Sequence, residues 1–383
     1  MKIAVVTDYF PTQEHKWQGQ SAYQTLRVLA KHCDVHVFCP VAEYPRLLKP
    51  RSRTAKPGLE WTPGGVEVSY IRYPTLPLIG RGFNGFAIAW KLLEPVRAFQ
   101  PDVILNYTVY PAGFAAVRIG RKLDVPVVLT SIGSDLNRLG DSLVARWKKV
   151  ALQQADGMMT VSHDLAKTAV RLGADPAKTR AVLNGCDRDV FHPRDKAEAR
   201  RALGLAADEE VVLYVGRLDF RKGLVELVEA AAALKEKRPR MRTYLIGSAE
   251  HEGVLRQAMA KHGVEQDVVI VAPCSSEQVG VWMGAADVVT LPSYNEGCPN
   301  VVVEAVNAGR PVVATRVGGI PELMDDSLGR LIPARDAGAL AQALDEVLGA
   351  EWDAEAISES RRRSWADVAD EVEELLRDAV ARH

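Results

Sequence analysis

Glu296, Glu304, Arg217 and Lys222 are the residues of this chain whose types and spacing could do chemistry. The two glutamates stand eight positions apart in PSYNEGCPNVVVEAVNAGRPVVATRVGGIPE, residues 292–322. Gly297 and Pro299 punctuate a turn between them, Pro299 suits the first position of a helix, and Gly309 suits the residue just past its end. A helix starting there would point the free backbone N–H groups of Asn300, Val301 and Val302 at an anion, favoured by hydrogen bonds and by the helix dipole. Glu296 then precedes the anion site and Glu304 lies about two turns down, so one carboxylate could touch a sugar and the other a ribose. Arg217 and Lys222 belong to GRLDFRKG, residues 216–223, between the apolar run VVLYV and the helix-like LVELVEAAAAL. Two cations at the C-terminal end of a strand, with glycines that let the backbone come close, suit a diphosphate. Arg217 offers a fork for two phosphate oxygens, while Lys222 is a compact charge that can follow the charge growing on a leaving group. Arg221 is a weaker candidate, because adjacent positions cannot all face one ligand.

These groups need elements to position them. Residues 2–7, 34–39, 103–106, 125–130 and 157–161 are short apolar or β-branched runs bounded by turn residues, and they read as strands. Helical spacing fills 21–31 and 111–123 between them. The rhythm restarts with strands at 211–215, 242–246, 268–271, 288–291 and 311–314. Alternating strands and helices predict an α/β fold of two parallel sheets, each with helices on both faces, around a cleft. The segment 191–205, FHPRDKAEARRALGL, has a proline, many charges and no strand, so it divides a domain of residues 1–190 from one of residues 191–363. Apolar residues at helical spacing, among them Trp365, Val368, Val372 and Leu376, predict a last helix at about 364–383. Two insertions break the first half: 43–58 carries Arg46, Lys49, Arg51, Arg53 and Lys56, and 76–90 is unusually apolar for a connection. Residues 44–92 could therefore greet an anionic or lipid-linked substrate, or touch a membrane surface. A solvated loop followed by a core helix is the plainer expectation.

A length of 383 residues fits two domains of about 150–200 residues each. A net charge of −1 gives no global attraction to nucleic acid, which is not expected as a partner. The five cysteines, Cys33, Cys39, Cys186, Cys274 and Cys298, are odd in number and lack the short paired spacings of zinc or redox sites, so they read as reduced thiols of a cytoplasmic protein. MKIAVVTDYFP reads as a strand and turn rather than a signal peptide, and no apolar stretch approaches the ~18 residues a span needs. Peripheral contact at the inner face of the membrane stays open. Asp187 and Asp189 form an Asp-x-Asp that could hold Mg²⁺ or Mn²⁺ in another fold. Here it lies far in sequence from the phosphate elements, whose two cations already cover the charge, so neither a metal nor another cofactor is expected.

GRLDFRKG, the segment YNEGCPNVVVEAVNAGRPVVATRVGGIPE after VVTLPS, and VSHDLAKTAVRLGADPAKTRAVLNGCDRDVF resemble retaining glycosyltransferases of the GT-B fold, family 4. The resemblance covers nearly the whole chain and is strongest over residues 210–340. It implies two Rossmann-like domains, acceptor-binding and donor-binding, with the last helix packed back on the first domain and 191–205 as the hinge. It further implies that Arg217 and Lys222 bind the donor diphosphate, Glu304 the ribose hydroxyls and Glu296 the sugar ring, with backbone contacts from Gly297, Cys298, Pro299, Asn300, Val301 and Val302. Asn184, Gly185 and Asp187 match the family's Asn-Gly-x-Asp turn, and Gly19 matches a first-domain glycine that lets donor and acceptor approach. The family's His-Gly-x-Asp is here Ile132, Gly133, Ser134, Asp135; the aspartate survives and the histidine does not. Asp135 and His163 are candidates to contact the acceptor or sugar, His163 as a substitute for the missing histidine; otherwise the sugar's outer hydroxyl is not read that way.

The reaction implied is transfer of a hexosyl group, with retention, from a nucleoside-diphosphate sugar (UDP or GDP) to a hydroxyl of a saccharide, lipid-linked or small-molecule acceptor, in polysaccharide, glycolipid or glycoconjugate synthesis. In a front-face mechanism the departing phosphate oxygen takes the acceptor proton, and Arg217, Lys222 and the helix start stabilise the diphosphate. Double displacement would need Glu296 or Asp135 as nucleophile. A sugar-nucleotide epimerase of the same architecture and a non-catalytic hinged binding protein are the alternatives.

Overall fold

The structure is a computed structural model that describes residues 1–12, 18–45, 64–77, 79–137, 142–248 and 252–383. The basic loop with Arg46, Lys49, Arg51, Arg53 and Lys56 lies outside the described residues. The chain divides into two compact units, Met1–Leu183 with Trp365–His383, and Asn184–Ser364.

In the first unit β1 (Lys2–Val6), β2 (Asp34–Glu43), β3 (Glu67–Pro74), β4 (Val103–Asn106), β5 (Val127–Ser131), β6 (Gly157–Thr160) and β7 (Thr179–Ala181) form one sheet in the order β3-β2-β1-β4-β5-β6-β7. Every adjacent pair runs parallel. The central strands are buried along their length because helices cover both faces, which is why VILN and VVLTS read as unbroken apolar or small runs. β3, with EVSYIRYP, is the edge strand; its interspersed charges and exposed positions hid it in the sequence. The helix Trp365–Arg382 returns to this unit and buries Val368, Val372, Leu375 and Leu376 in the same cluster as Ile3 and Leu26. Within 76–90, Ile79–Gly82 makes a 3₁₀ turn and the α-helix Asn84–Phe99 begins in the second half.

In the second unit β8 (Glu210–Val215), β9 (Met241–Ile246), β10 (Val268–Val271), β11 (Val288–Leu291), β12 (Val312–Thr315) and β13 (Gly329–Ile332) are ordered β10-β9-β8-β11-β12-β13, again all parallel. The order reverses between β8 and β11, and loops at the carboxyl ends of these two strands flank a topological switch point, where open α/β sheets bind ligands. The divide between units falls seven residues before the expected 190/191 boundary. Asn184 and Cys186 already hydrogen-bond within the second unit, Cys186 N–H donating to the Arg363 carbonyl at 2.9 Å. The charged stretch 191–205 is likewise no bare linker. Its helix Lys196–Leu203 is capped by Asp195, and Arg200, 6% exposed, donates to Asp287 at 2.6 Å.

Candidate functional site

The loop after β8 carries the two predicted cations. Phe220–Lys222 makes one 3₁₀ turn, started by Asp219, whose carboxylate accepts from the Arg221 N–H at 2.9 Å. The same carboxylate holds the Arg221 guanidinium at 3.0 and 2.5 Å, so Arg221 is occupied, as its crowded position suggested. Arg217 is exposed and forms no ion pair among the described residues, while its carbonyl accepts from the Tyr214 hydroxyl at 2.8 Å. Gly223 closes the turn at φ 68°, with the Pro292 carbonyl 2.0 Å from where a Cβ would stand. Only glycine lets the loops after β8 and β11 approach this closely. That approach brings Lys222 Nζ to 2.5 Å from Glu296 Oε1, both side chains largely buried.

Residues after β11 form the facing wall. The helix is Asn300–Asn307, with Pro299 at its N-cap and not, as expected, at its first position. Gly309 follows the helix end at φ 70° as expected. Of the amides expected to be free, Val302 N–H turns back to the Pro299 carbonyl at 3.1 Å. The N–H groups of Gly297, Cys298 and Val301 make no hydrogen bond among the described residues, so the donors lie in the turn and at the second helical residue. Gly318, at φ 53°, lies so near the Glu296 carbonyl that a Cβ would meet it at 1.9 Å, and Gly319 N–H donates to the Gly297 carbonyl at 3.0 Å.

Asn184 has a role that the sequence did not disclose. Its Nδ2 donates to the Cys298 carbonyl at 3.0 Å and to Asn300 Oδ1 at 2.7 Å, and its backbone N–H meets Cys298 Sγ at 3.4 Å. It therefore pins both sides of the turn that presents the free amides. The matching Asn-Gly-x-Asp string was the available signal, but nothing in it points to a partner more than a hundred residues away. Asp187 Oδ1 accepts from Asp189 N–H at 3.2 Å, which ties the Asp-x-Asp into its own turn. Burial pushes the Cys298 thiol up to about 12, so it packs as a neutral group.

Glu304 sits just over one turn into the helix rather than two, and its carboxylate has no hydrogen bond or ion pair among the described residues. Burial pushes that carboxyl up to about 7. A half-ionised acceptor without a protein partner is suited to hydroxyl donors from a ligand.

The remaining candidates belong to the first unit. Gly19 caps the helix Gln20–Leu29 at φ 65°, and a Cβ there would stand 2.4 Å from the Tyr9 carbonyl. Asp135 is fully engaged: Oδ1 accepts from Ser131 Oγ at 2.6 Å and Gly133 N–H at 3.2 Å, and Oδ2 from Val109 N–H at 2.9 Å. It fixes the loop after β5 to the loop after β4, and nucleophilic use would break those bonds. Ile132 leans on the hydrophobic core. His163 is the exposed first residue of the helix His163–Arg171, capped by Ser162.

Known proteins resemble this chain in sequence and in fold. The family described as Glycosyl transferases group 1 matches residues 195–378, and the one described as Glycosyltransferase Family 4 matches residues 18–190. The chain is similar to the putative teichuronic acid biosynthesis glycosyltransferase TuaC of Bacillus subtilis, 29% identical over 90% of this chain and 88% of the relative. It is also similar to the D-inositol 3-phosphate glycosyltransferase of Mycobacteroides abscessus, 35% identical over 60% of this chain and about half (53%) of that protein. Among solved structures, sucrose-phosphate synthase from Thermosynechococcus elongatus superposes with a TM-score of 0.82 at 21% identity, covering 100% of both chains. Anabaena HepE in complex with UDP superposes at 0.72 with 20% identity, covering 100% of this chain and 97% of the other.

Proposed function

Since the chain belongs to the family 4 glycosyltransferases of the GT-B fold, we propose that it moves a hexosyl group, with retention, from a nucleoside-diphosphate sugar to an acceptor hydroxyl. The observation that carries this reading is the Lys222–Glu296 pair at 2.5 Å beside the unbonded amides of Gly297, Cys298 and Val301. The amides and Arg217 would hold the diphosphate. Lys222 would stabilise the charge that grows on the departing phosphate oxygen, in line with a preorganised donor at a leaving group. Glu296 aims that ammonium and meets the sugar ring. Its bond to Lys222 favours a positioning role over a nucleophilic one, and supports the front-face mechanism, in which the leaving oxygen itself accepts the acceptor's proton. Glu304 would take the ribose hydroxyls.

The donor nucleotide is UDP or GDP, and UDP is the first to try because the structural neighbour HepE was solved with it. The acceptor is a saccharide, lipid-linked or small-molecule hydroxyl; among the relatives, a teichuronic acid enzyme and an inositol phosphate enzyme support the saccharide and small-molecule classes. Peripheral contact with the inner membrane face is supported by the exposure of Phe83 (60%) and Trp90 (67%), and no helix among the described residues is long and apolar enough to cross a membrane. We expect the reaction to need no metal, so activity in chelator should equal that without it. The experiment is incubation with a panel of sugar nucleotides and candidate acceptors, with mass spectrometry of the products. Free nucleoside diphosphate with a heavier acceptor supports transfer, whereas an isomerised sugar nucleotide would point to an epimerase.

A further inference from the structure

A second chemical site stands in the first unit, on the side of its core where the helix Gln20–Leu29 meets the C-terminal helix Trp365–Arg382. His32 and Cys33 occupy the turn that follows the first of these helices, and Glu373 projects from the second. His32 Nε2 lies 2.6 Å from Glu373 Oε2, and one ligand atom from each of the three residues falls within 4.8 Å of the others. Arg377 donates to the other carboxylate oxygen, Oε1, at 3.0 and 2.5 Å, which orients the carboxylate and leaves Oε2 turned to His32. Cys33 is buried, Glu373 nearly so, and His32 half exposed, so the cluster has a closed inner side and an entry from solvent.

We propose that His32, Cys33 and Glu373 bind a borderline-soft divalent cation of the zinc class, which staples the end of the first helix to the C-terminal helix. One imidazole nitrogen, one thiolate and one carboxylate form a mixed N, S, O donor set that zinc accepts, and a water completes the tetrahedron. Zinc–ligand distances of about 2.0–2.3 Å set neighbouring donors roughly 3.3 Å apart or more. The His32–Glu373 hydrogen bond at 2.6 Å must therefore open, and donor separations of up to 4.8 Å must close, as the metal enters. Binding releases the Cys33 proton to solvent and forms one S–metal bond, with no change of oxidation state. Burial, and then the Glu373 carboxylate, push the Cys33 thiol up, so proton release is a real cost and affinity is moderate. Cysteine spacing could not disclose the site, because its carboxylate comes from 341 positions along the chain.

The test uses the full chain, stripped with chelator, dialysed, and titrated with Co²⁺ under a phosphine reductant. A thiolate-to-cobalt charge-transfer band should saturate at a single equivalent and be displaced by Zn²⁺, and Zn²⁺ should raise the melting temperature. Cys33→Ser should abolish the band and the thermal shift, and His32→Ala should weaken Co²⁺ binding tenfold or more. Both variants should melt as the wild type does in chelator, which separates lost binding from misfolding. Absence of the band, its survival in Cys33→Ser, or a melting temperature indifferent to Zn²⁺ would each overturn the proposal.

Discussion

At the scale of residues, the proposed donor site rests on a cation and two carboxylates in unlike surroundings. Lys222→Ala should lower turnover by about 10²-fold or more at saturating donor, the loss seen when one preorganised charge-stabilising donor is removed; steady-state kinetics would show it. Glu304 makes a different prediction, through its raised pKa. In the fold it keeps its proton up to about 7 against an ordinary 4.5. Between those values the native state binds a proton that the unfolded chain has lost, so stability falls as pH rises through this window and is level above it. Glu304→Gln removes that loss, and should be more stable than the wild type at pH 8 by at most about 3 kcal/mol, a ceiling because the residue keeps some solvent contact. Denaturant titrations at pH 5 and pH 8 read the difference. The same substitution should weaken nucleoside diphosphate binding, and wild-type affinity should rise with pH through about 7 as the carboxylate ionises to accept ribose hydroxyls.

At the scale of elements, the site depends on how closely loops approach one another. Asn184→Ala strips the Cys298 carbonyl and Asn300 Oδ1 of a shared donor. Leaving the buried Cys298 carbonyl without that donor should cost about 1–3 kcal/mol, and the loosened turn should raise the donor KM more than it lowers kcat. Gly318→Ala combines a left-handed backbone with a Cβ 1.9 Å from the Glu296 carbonyl, so it should disturb the Lys222–Glu296 pair as well as stability. The sequence pointed to Arg217, Lys222, Glu296 and Glu304 as candidates because charged residues beside turn glycines are conspicuous against apolar strands. It could not disclose Asn184 or Gly318 in these roles, since each acts through a contact that exists only after folding. The one-residue shift of Pro299, from helix start to cap, has a similar origin: the dihedral angles at Pro299, φ −73° and ψ 117°, are extended, and local sequence alone allows either.

At the scale of the whole molecule, the alternation of strands and helices was legible because parallel strands covered on both faces must be apolar throughout. The edge strands β3 and β13 and the three-residue β7 escaped that pattern, β3 for its polar positions, β7 for its length and β13 because GRLI is short and carries a glycine and an arginine. The C-terminal helix is part of the first unit's core although the chain passes through the second unit before reaching it. Leu376→Ala should thus cost about 2–5 kcal/mol, read as a lower denaturation midpoint, and removal of residues 365–383 should leave an insoluble chain. Retaining transfer from a sugar nucleotide is tested most directly by the ¹H NMR coupling of the product's anomeric proton, with an α-linked donor and the acceptor found by the panel. An α-glycoside, formed mole for mole with free nucleoside diphosphate, is the predicted result; a β-glycoside, or an isomerised donor with no glycoside, would contradict it.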